Sequence, residues 1–256
     1  MTVLAAHKDI RKDASASRAW LRALEMTQRI EDAPMRTLPI VIGELGARFA
    51  DAPALIGHGE TFSHAGLAAR VNRYARWALG EGIAKGDVVA LLMANRPDYL
   101  AAWLGLTRIG AVVALLNTNL KGEALAHAIG AAAPEHLIAA QDMAEAVSEA
   151  LGGLDAAPRC WWHGGALSAL LDGFSGEPLA QAPIVTLDDP ALLIYTSGTT
   201  GYPKAARVSH RRVMNWTHWF AGMTGAGPDD RLYNCLPMYH SVGGVVACGA
   251  VLLNGG

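Results

Sequence analysis

Hydrophobic positions in this chain recur first at helical spacing and then in short bursts. Residues 13–30 (DASASRAWLRALEMTQRI) place Trp20, Leu21, Leu24 and Ile30 near one face of an expected amphipathic helix, with arginines elsewhere. Asp32, Ala33 and Pro34 end it. Beyond Leu38, helical patterns alternate with short apolar runs. Ser63 is placed to cap a helix carrying Leu67, Val71, Tyr74 and Ala78, which Gly80 and Gly82 stop. Asp87 leads into the strand VVALLM. Pro97 suits the first turn of a helix ending at Gly110, and AVVALLN is the next strand. KGEALAHAIG then reads as a helix, HLIAA as a strand, DMAEAVSEALGG as a helix, and CWWH and ALLIY as further strands. Residues 152–183, rich in Gly, Pro and Ala, read as loops around one short strand.

Alternating strands and helices, with strands apolar throughout, predict an α/β fold: parallel-rich sheets flanked by helices on both faces. The pattern divides the chain into a helical lead, 1–35, and a domain over 36–256. In such sheets a ligand sits beyond the carboxyl ends of the strands. The longest apolar stretch, 99–116, contains Thr107, Arg108 and Gly110. A spanning helix needs about twenty apolar residues, so a buried helix followed by a buried strand is the better reading. The apolar segment 242–253 is too short to span. Peripheral contact with a membrane stays open.

Composition removes several function classes. Of 256 residues 52% are hydrophobic, enough for a buried core and too many for disorder. Lys and Arg total 21 against 23 Asp and Glu, a net charge of -2 that gives no electrostatic footprint for nucleic acid. Cys160, Cys235 and Cys248 are scattered with no CxxC pair, so neither a zinc site nor a disulfide framework is supported. The N-terminus is charged early and shows no signal peptide, which makes a cytoplasmic setting the default, with the inner face of a membrane as the place for any peripheral contact.

The segment that carries chemistry is 192–210, LLIYTSGTTGYPKAARVSH. An apolar strand ends at Tyr195, and the next seven residues, 196–202, hold five hydroxyls and two glycines before Pro203 and Lys204. Glycines let backbone N–H groups approach an anion, hydroxyls add donors, and Lys204 adds a point charge. A solvated Ser/Thr/Gly turn is the competing reading. No GxxxxGK[ST] loop and no complete GxGxxG occur, and neither a GxSxG elbow nor HExxH is present, so Ser197 as a hydrolase nucleophile has little support.

YTSGTTGYPKAA resembles the signature phosphate loop of the adenylate-forming (AMP-binding) superfamily, which includes acyl-CoA synthetases, luciferases and peptide-synthetase adenylation domains. LPMYHSVGG (236–244) resembles that family's next motif, an aromatic–His segment near the acyl and adenine pockets. Upstream, the NRP, WLGL and NTNL elements of ALLMANRPDYLAAWLGLTRIGAVVALLNTNLKGEALAHAI are similar to the branch of very-long-chain acyl-CoA synthetases and fatty acid transport proteins. That branch also tends to follow the loop lysine with two alanines, as Ala205 and Ala206 do here. The resemblance covers most of the chain from Leu38 onward.

The resemblance implies an ATP-dependent long-chain or very-long-chain fatty acid–CoA ligase. Attack of a carboxylate on the α-phosphate of ATP gives an acyl-adenylate and pyrophosphate, and the thiol of coenzyme A then displaces AMP. Donors and cations must neutralise the phosphates as two anions approach. Thr196, Ser197, Gly198, Thr199, Thr200 and Gly201 would line the phosphate loop, Lys204 would contact the phosphates or steady the loop, and Thr196 would be a Mg2+ ligand. His240 takes a catalytic place against the acyl carboxylate or adenylate. Tyr239 and Trp216 are equally well core aromatics, His210 has no role, and His163 with Trp161 and Trp162 is read as packing. The family's metal-binding Glu, ribose-binding Asp, hinge and C-terminal catalytic Lys are not found in the 256 residues. The resemblance therefore implies a partial N-terminal domain, truncated, and inactive alone. Two other classes compete: a non-catalytic nucleotide- or acyl-binding module, and an uptake protein that traps fatty acid as its CoA ester. Acyl chain length and oligomeric state are not set by the sequence.

Overall fold

A computed structural model describes residues 15–57, 59–196 and 203–256. In chain order it contains α1 (Ala16–Gln28), α2 (Leu38–Phe49), a hairpin of β1 (Pro53–Gly57) and β2 (Glu60–Ser63), α3 (His64–Gly80), β3 (Val88–Leu92), α4 (Pro97–Arg108), β4 (Val112–Leu115), α5 (Gly122–Ala132), β5 (His136–Ala140), α6 (Ala144–Leu151), β6 (Arg159–His163), α7 (Ala166–Asp172), β7 (Pro190–Thr196), β8 (Lys204–Ser209) and α8 (His210–Thr224). A π-helical stretch, Ser241–Ala247, runs into α9 (Cys248–Leu252).

The main sheet has the order β6-β5-β3-β4-β7-β8. Neighbouring strands are parallel except β8, which returns antiparallel on β7. The central strands lack polar alternation because both faces are covered. Val89, Leu91, Val113, Leu115, Leu192 and Ile194 pack into one core with α2, α3 and α4, where Tyr74, Trp77, Tyr99 and Trp103 are fully buried. Ala90, Leu92, Val112, Ala114, Leu193 and Tyr195 face the other way, onto α5 and α6. The fold is the parallel-rich α/β sheet expected from the sequence.

Local signals explain the boundaries. The Ser63 hydroxyl accepts from the Gly66 N–H at 3.1 Å and caps α3. Pro97 opens α4, where its missing N–H costs nothing. Gly110, at φ +85°, makes the turn between α4 and β4, a conformation that L side chains rarely adopt. Helix α4 can lie close on α3 because Gly105 has no side chain: a Cβ there would overlap Tyr74.

Three expectations need correction. The stretch 152–183 is not loops around one strand, because α7 forms within it, burying Leu167 and Leu171 one turn apart. Helix α1 does not bury its large apolar residues: Trp20, Leu21 and Leu24 are exposed, and only Ala23 is buried within the helix. It seats its small face on α8, where a Cβ on Gly222 would overlap the Ala23 backbone and the Arg22 Nε donates to the Gly222 carbonyl at 3.2 Å. So close an approach admits alanine and excludes tryptophan.

The third correction concerns His163, which is more than packing. Its Nε2 lies 2.7 Å from Asp98 Oδ2, and Arg70 donates to both Asp98 oxygens at 2.7 Å. Arg70 also donates to Asp172 at 3.0 Å. This buried network ties α3, α4, β6 and α7 together. Burial pushes the Asp98 carboxyl up, but the hydrogen bonds and charges of Arg70 and His163 outweigh it and hold the group below its ordinary value.

Candidate functional site

The carboxyl ends of β3, β4 and β7 lie side by side, in register through Leu91, Leu115 and Ile194. The segments beyond these strand ends define the site. β7 ends at Thr196 and β8 begins at Lys204, and these two residues face each other as the last pair of the β7–β8 ladder. The Thr196 hydroxyl donates to the Lys204 carbonyl at 3.5 Å. Both side chains are exposed. The strand is anchored beneath by Tyr195, whose hydroxyl donates to the Ala128 carbonyl at 2.6 Å. Burial pushes that phenol well above its usual range, so it stays protonated. Ser197, Gly198, Thr199, Thr200 and Gly201 lie outside the described residues.

The segment 236–240 comes to the same edge from elsewhere in the chain. Asn95, between β3 and α4, donates from Nδ2 to the Leu236 carbonyl and accepts the Met238 N–H at Oδ1, both at 2.8 Å. Asn119, just after β4, donates to the Tyr239 hydroxyl at 3.2 Å. Tyr239 is buried, and its ring lies 4.6 Å from that of exposed His240. The chain then turns into the π-helical stretch, with the Gly244 N–H on the His240 carbonyl at 2.9 Å.

Other sequence candidates resolve differently. His210 is buried at the start of α8, its Nε2 without a partner among the described residues. Burial pushes its pKa down to about 4, so it is neutral at pH 7. Trp216 is half-buried under the Arg212 guanidinium, 5.7 Å from the ring centroid. A cleft of about 730 Å³ opens between β1 and residues 228–235, with Asn95 and Met238 on its wall. His240 is not among the residues lining it, so the cleft does not locate the reacting group. The sequence does not mark Asn95 and Asn119 as site residues; their only signal is membership of the NRP and NTNL elements.

Thr196 and Lys204 at a strand's carboxyl edge, joined by a Gly/Ser/Thr-rich sequence, suit a phosphate. For a divalent cation the fit is thinner. No group of three or more His, Cys, Asp or Glu is clustered among the described residues, and Thr196 offers a single hydroxyl. Magnesium commonly takes one or two protein ligands and fills its remaining sites with phosphate and water, so this donor set is compatible with it only alongside a nucleotide.

Comparison with known proteins places the chain in a family. Residues 44–256 match the AMP-binding enzyme family, and the chain belongs to that family. It is 37% identical over 235 residues to long-chain fatty acid transport protein 1 of Bos taurus, covering 86% of this chain and 36% of that protein. It is 33% identical over 221 residues to a medium/long-chain-fatty-acid–CoA ligase of Mycobacterium tuberculosis, covering 84% of this chain and 36% of the ligase. The chain thus spans about a third of the length of these relatives. Among solved structures, a long-chain-fatty-acid–CoA ligase from Archaeoglobus fulgidus superposes with a TM-score of 0.77 at 22% identity, over 87% of this chain and 46% of that one. An anthranilate CoA ligase in complex with anthranoyl-AMP gives 0.79 at 18% identity, over 88% and 45%. At such identities these two establish the fold alone.

Proposed function

We propose that the protein activates a long-chain or very-long-chain fatty acid as its coenzyme A thioester, using ATP, through an acyl-adenylate. In this reading the chain is a lead, 1–35, followed by the N-terminal part of an AMP-binding domain, 36–256. The observation that carries it is the β7–β8 ladder, which brings Thr196 and Lys204 together at the strand edge in a chain whose relatives include a fatty-acid–CoA ligase. Residues 196–201 and Lys204 hold the nucleotide phosphates, and Thr196 adds a ligand for Mg2+ bound with them. The cation supplies charge neutralisation where anion meets anion. His240 stands at the acyl carboxylate.

The test is pyrophosphate release with palmitate, ATP and Mg2+ in the full-length protein. Lys204→Ala removes a charged hydrogen bond of about 1.5–3 kcal/mol, so the rate is expected to fall ten- to a hundredfold. A wild-type rate in this variant would sink the phosphate-loop assignment. Saturable ATP binding with no pyrophosphate from the wild-type protein would favour the non-catalytic module.

Peripheral contact with a membrane is a second reading, favoured by α1. Trp20, Leu21 and Leu24 are exposed beside Trp219, which meets Trp20 edge-on at 6.1 Å. Residues 8–29 hold six Lys or Arg against three Asp or Glu, in a chain of net charge -2. Tryptophan and leucine beside basic residues suit an anionic lipid surface. Among the described residues no helix is long and apolar enough to cross a membrane. Vesicles containing phosphatidylglycerol are expected to co-sediment the protein, and Trp20→Glu with Leu21→Glu to weaken this tenfold or more. Equal sedimentation of both proteins would remove α1 from the contact.

A further inference from the structure

We propose that Asn95 is a positioning residue, whose side-chain amide clasps residues 236–238 and thereby sets where His240 stands at the carboxyl edge of the sheet. The inference rests on the acyl-activating reading above and adds a residue that reading does not use.

The segment before His240 has little backbone support of its own. Residues 230–235 belong to no helix or strand, and Pro237 has no N–H to give. The Leu236 N–H is taken locally, by the Asn234 side chain at 3.2 Å. The Leu236 carbonyl and the Met238 N–H both go to the one amide of Asn95. A donor and an acceptor on a single planar group thus meet the backbone as a neighbouring strand would.

The clasp has firm ground on both sides. Asn95 stands three residues beyond β3 and two before Pro97, so a central strand and a buried helix fix its backbone. Opposite it, the π-helical stretch presses directly on the same segment. A Cβ on Gly243 would overlap the Pro237 carbonyl, and one on Gly244 would overlap that of Met238. The segment is held between the amide and this glycine pair, and His240 comes two residues after Met238. Asn119 fixes the neighbouring Tyr239 ring from the end of β4. A misplacement of about 1 Å at a reacting group can cost a hundredfold in rate, so a clasp two residues away is felt at His240.

The chemistry of the clasp is specific to an amide. An ionised aspartate still accepts from Met238 but turns a second oxygen towards the Leu236 carbonyl. A protonated aspartic acid restores the donor in nearly the same shape. Leucine, of similar volume, offers neither group. This gives a signature that a purely structural role would not share.

The experiment compares wild-type full-length protein, Asn95→Asp and Asn95→Leu in palmitate-dependent pyrophosphate release between pH 5 and 8. Hydrogen exchange at the Met238 amide is followed alongside. Asn95→Asp is expected to lose ten- to a hundredfold in kcat at pH 8, with KM for ATP within about twofold, because Thr196 and Lys204 are untouched. Its deficit should shrink as pH falls towards 5, whereas that of Asn95→Leu stays constant and its Met238 amide exchanges faster. Wild-type kcat in both variants, or deficits with the same pH dependence, would overturn the positioning role. Unchanged exchange at Met238 in Asn95→Leu would overturn the clasp itself, a result readable even in an inactive protein. A wild-type protein that releases no pyrophosphate, while exchange behaves as expected, would instead overturn the acyl-activating reading and leave the clasp without a reaction to position.

Discussion

Asp98→Ala is expected to lower the stability of the protein by about 3–5 kcal/mol, the cost of breaking a buried ion pair by removing one partner. The carboxylate is nearly inaccessible, with 4% of its side chain exposed, and its partners Arg70 and His163 are at 11% and 5%. Truncation leaves a guanidinium facing an empty space, still bonded to Asp172 at the surface, and an imidazole with no carboxylate. His163 Nδ1 already lacks a partner among the described residues, so the ring would also lose the bond its Nε2 makes to Asp98. Four elements meet at this point, so the loss is expected to be cooperative. Because the folded pKa of Asp98 lies below its ordinary value, its contribution is present above about pH 4 and is lost as pH falls through the folded value. Urea unfolding at pH 7 should show the full difference between wild type and variant, and the two should converge under acid. A difference under about 1 kcal/mol at pH 7 would mean that the network does not hold these elements together.

Most of this fold was legible because short-range chemistry decided it. Ser63 and Pro97 announced helix starts, and the runs VVALL and HLIAA announced strands buried on both faces. The failures share a cause, which is that the deciding partner lies far away in sequence. Trp20, Leu21, Leu24 and Ile30 formed an apolar stripe, yet only Ile30, beyond the end of α1, is buried, because Gly222, about two hundred positions on, seats the helix by its Ala23 face. The hairpin β1–β2 was missed because Pro53–Gly57 and Glu60–Ser63 are half-buried and lack a clean alternation. His163 looked like packing beside two tryptophans because nothing local marks Asp98 as its partner. The candidate site divides the same way. The proposed phosphate segment, 196–204, is a contiguous string that a sequence reading can single out. The amides of Asn95 and Asn119 act on a segment about 120–140 residues downstream, and no local pattern records that.

A polypeptide of these 256 residues, supplied with palmitate, ATP, Mg2+ and coenzyme A, is expected to form no measurable palmitoyl-CoA. It spans 36% of the bovine transport protein and 36% of the mycobacterial ligase. The family resemblance implies a metal-binding Glu, a ribose-binding Asp and a catalytic Lys, and no motif for them is read in these 256 residues. Positioned charges in a shared, water-excluded site are each worth about 10²–10³ in rate, so the loss of several together leaves nothing above background. Nucleotide binding should persist weakly, because Thr196 and Lys204 remain paired at the edge of the sheet and the Gly/Ser/Thr-rich sequence between them is retained. Lys204→Ala should then weaken this residual binding about tenfold, the expected size of one lost charge-assisted contact. Circular dichroism establishes that the polypeptide is folded, calorimetry with ATP reads the binding, and chromatography reads the thioester. Steady palmitoyl-CoA formation above a heat-killed control would show that the catalytic groups lie within residues 1–256, and the search for them would return to the edge shared by Asn95, Asn119 and His240.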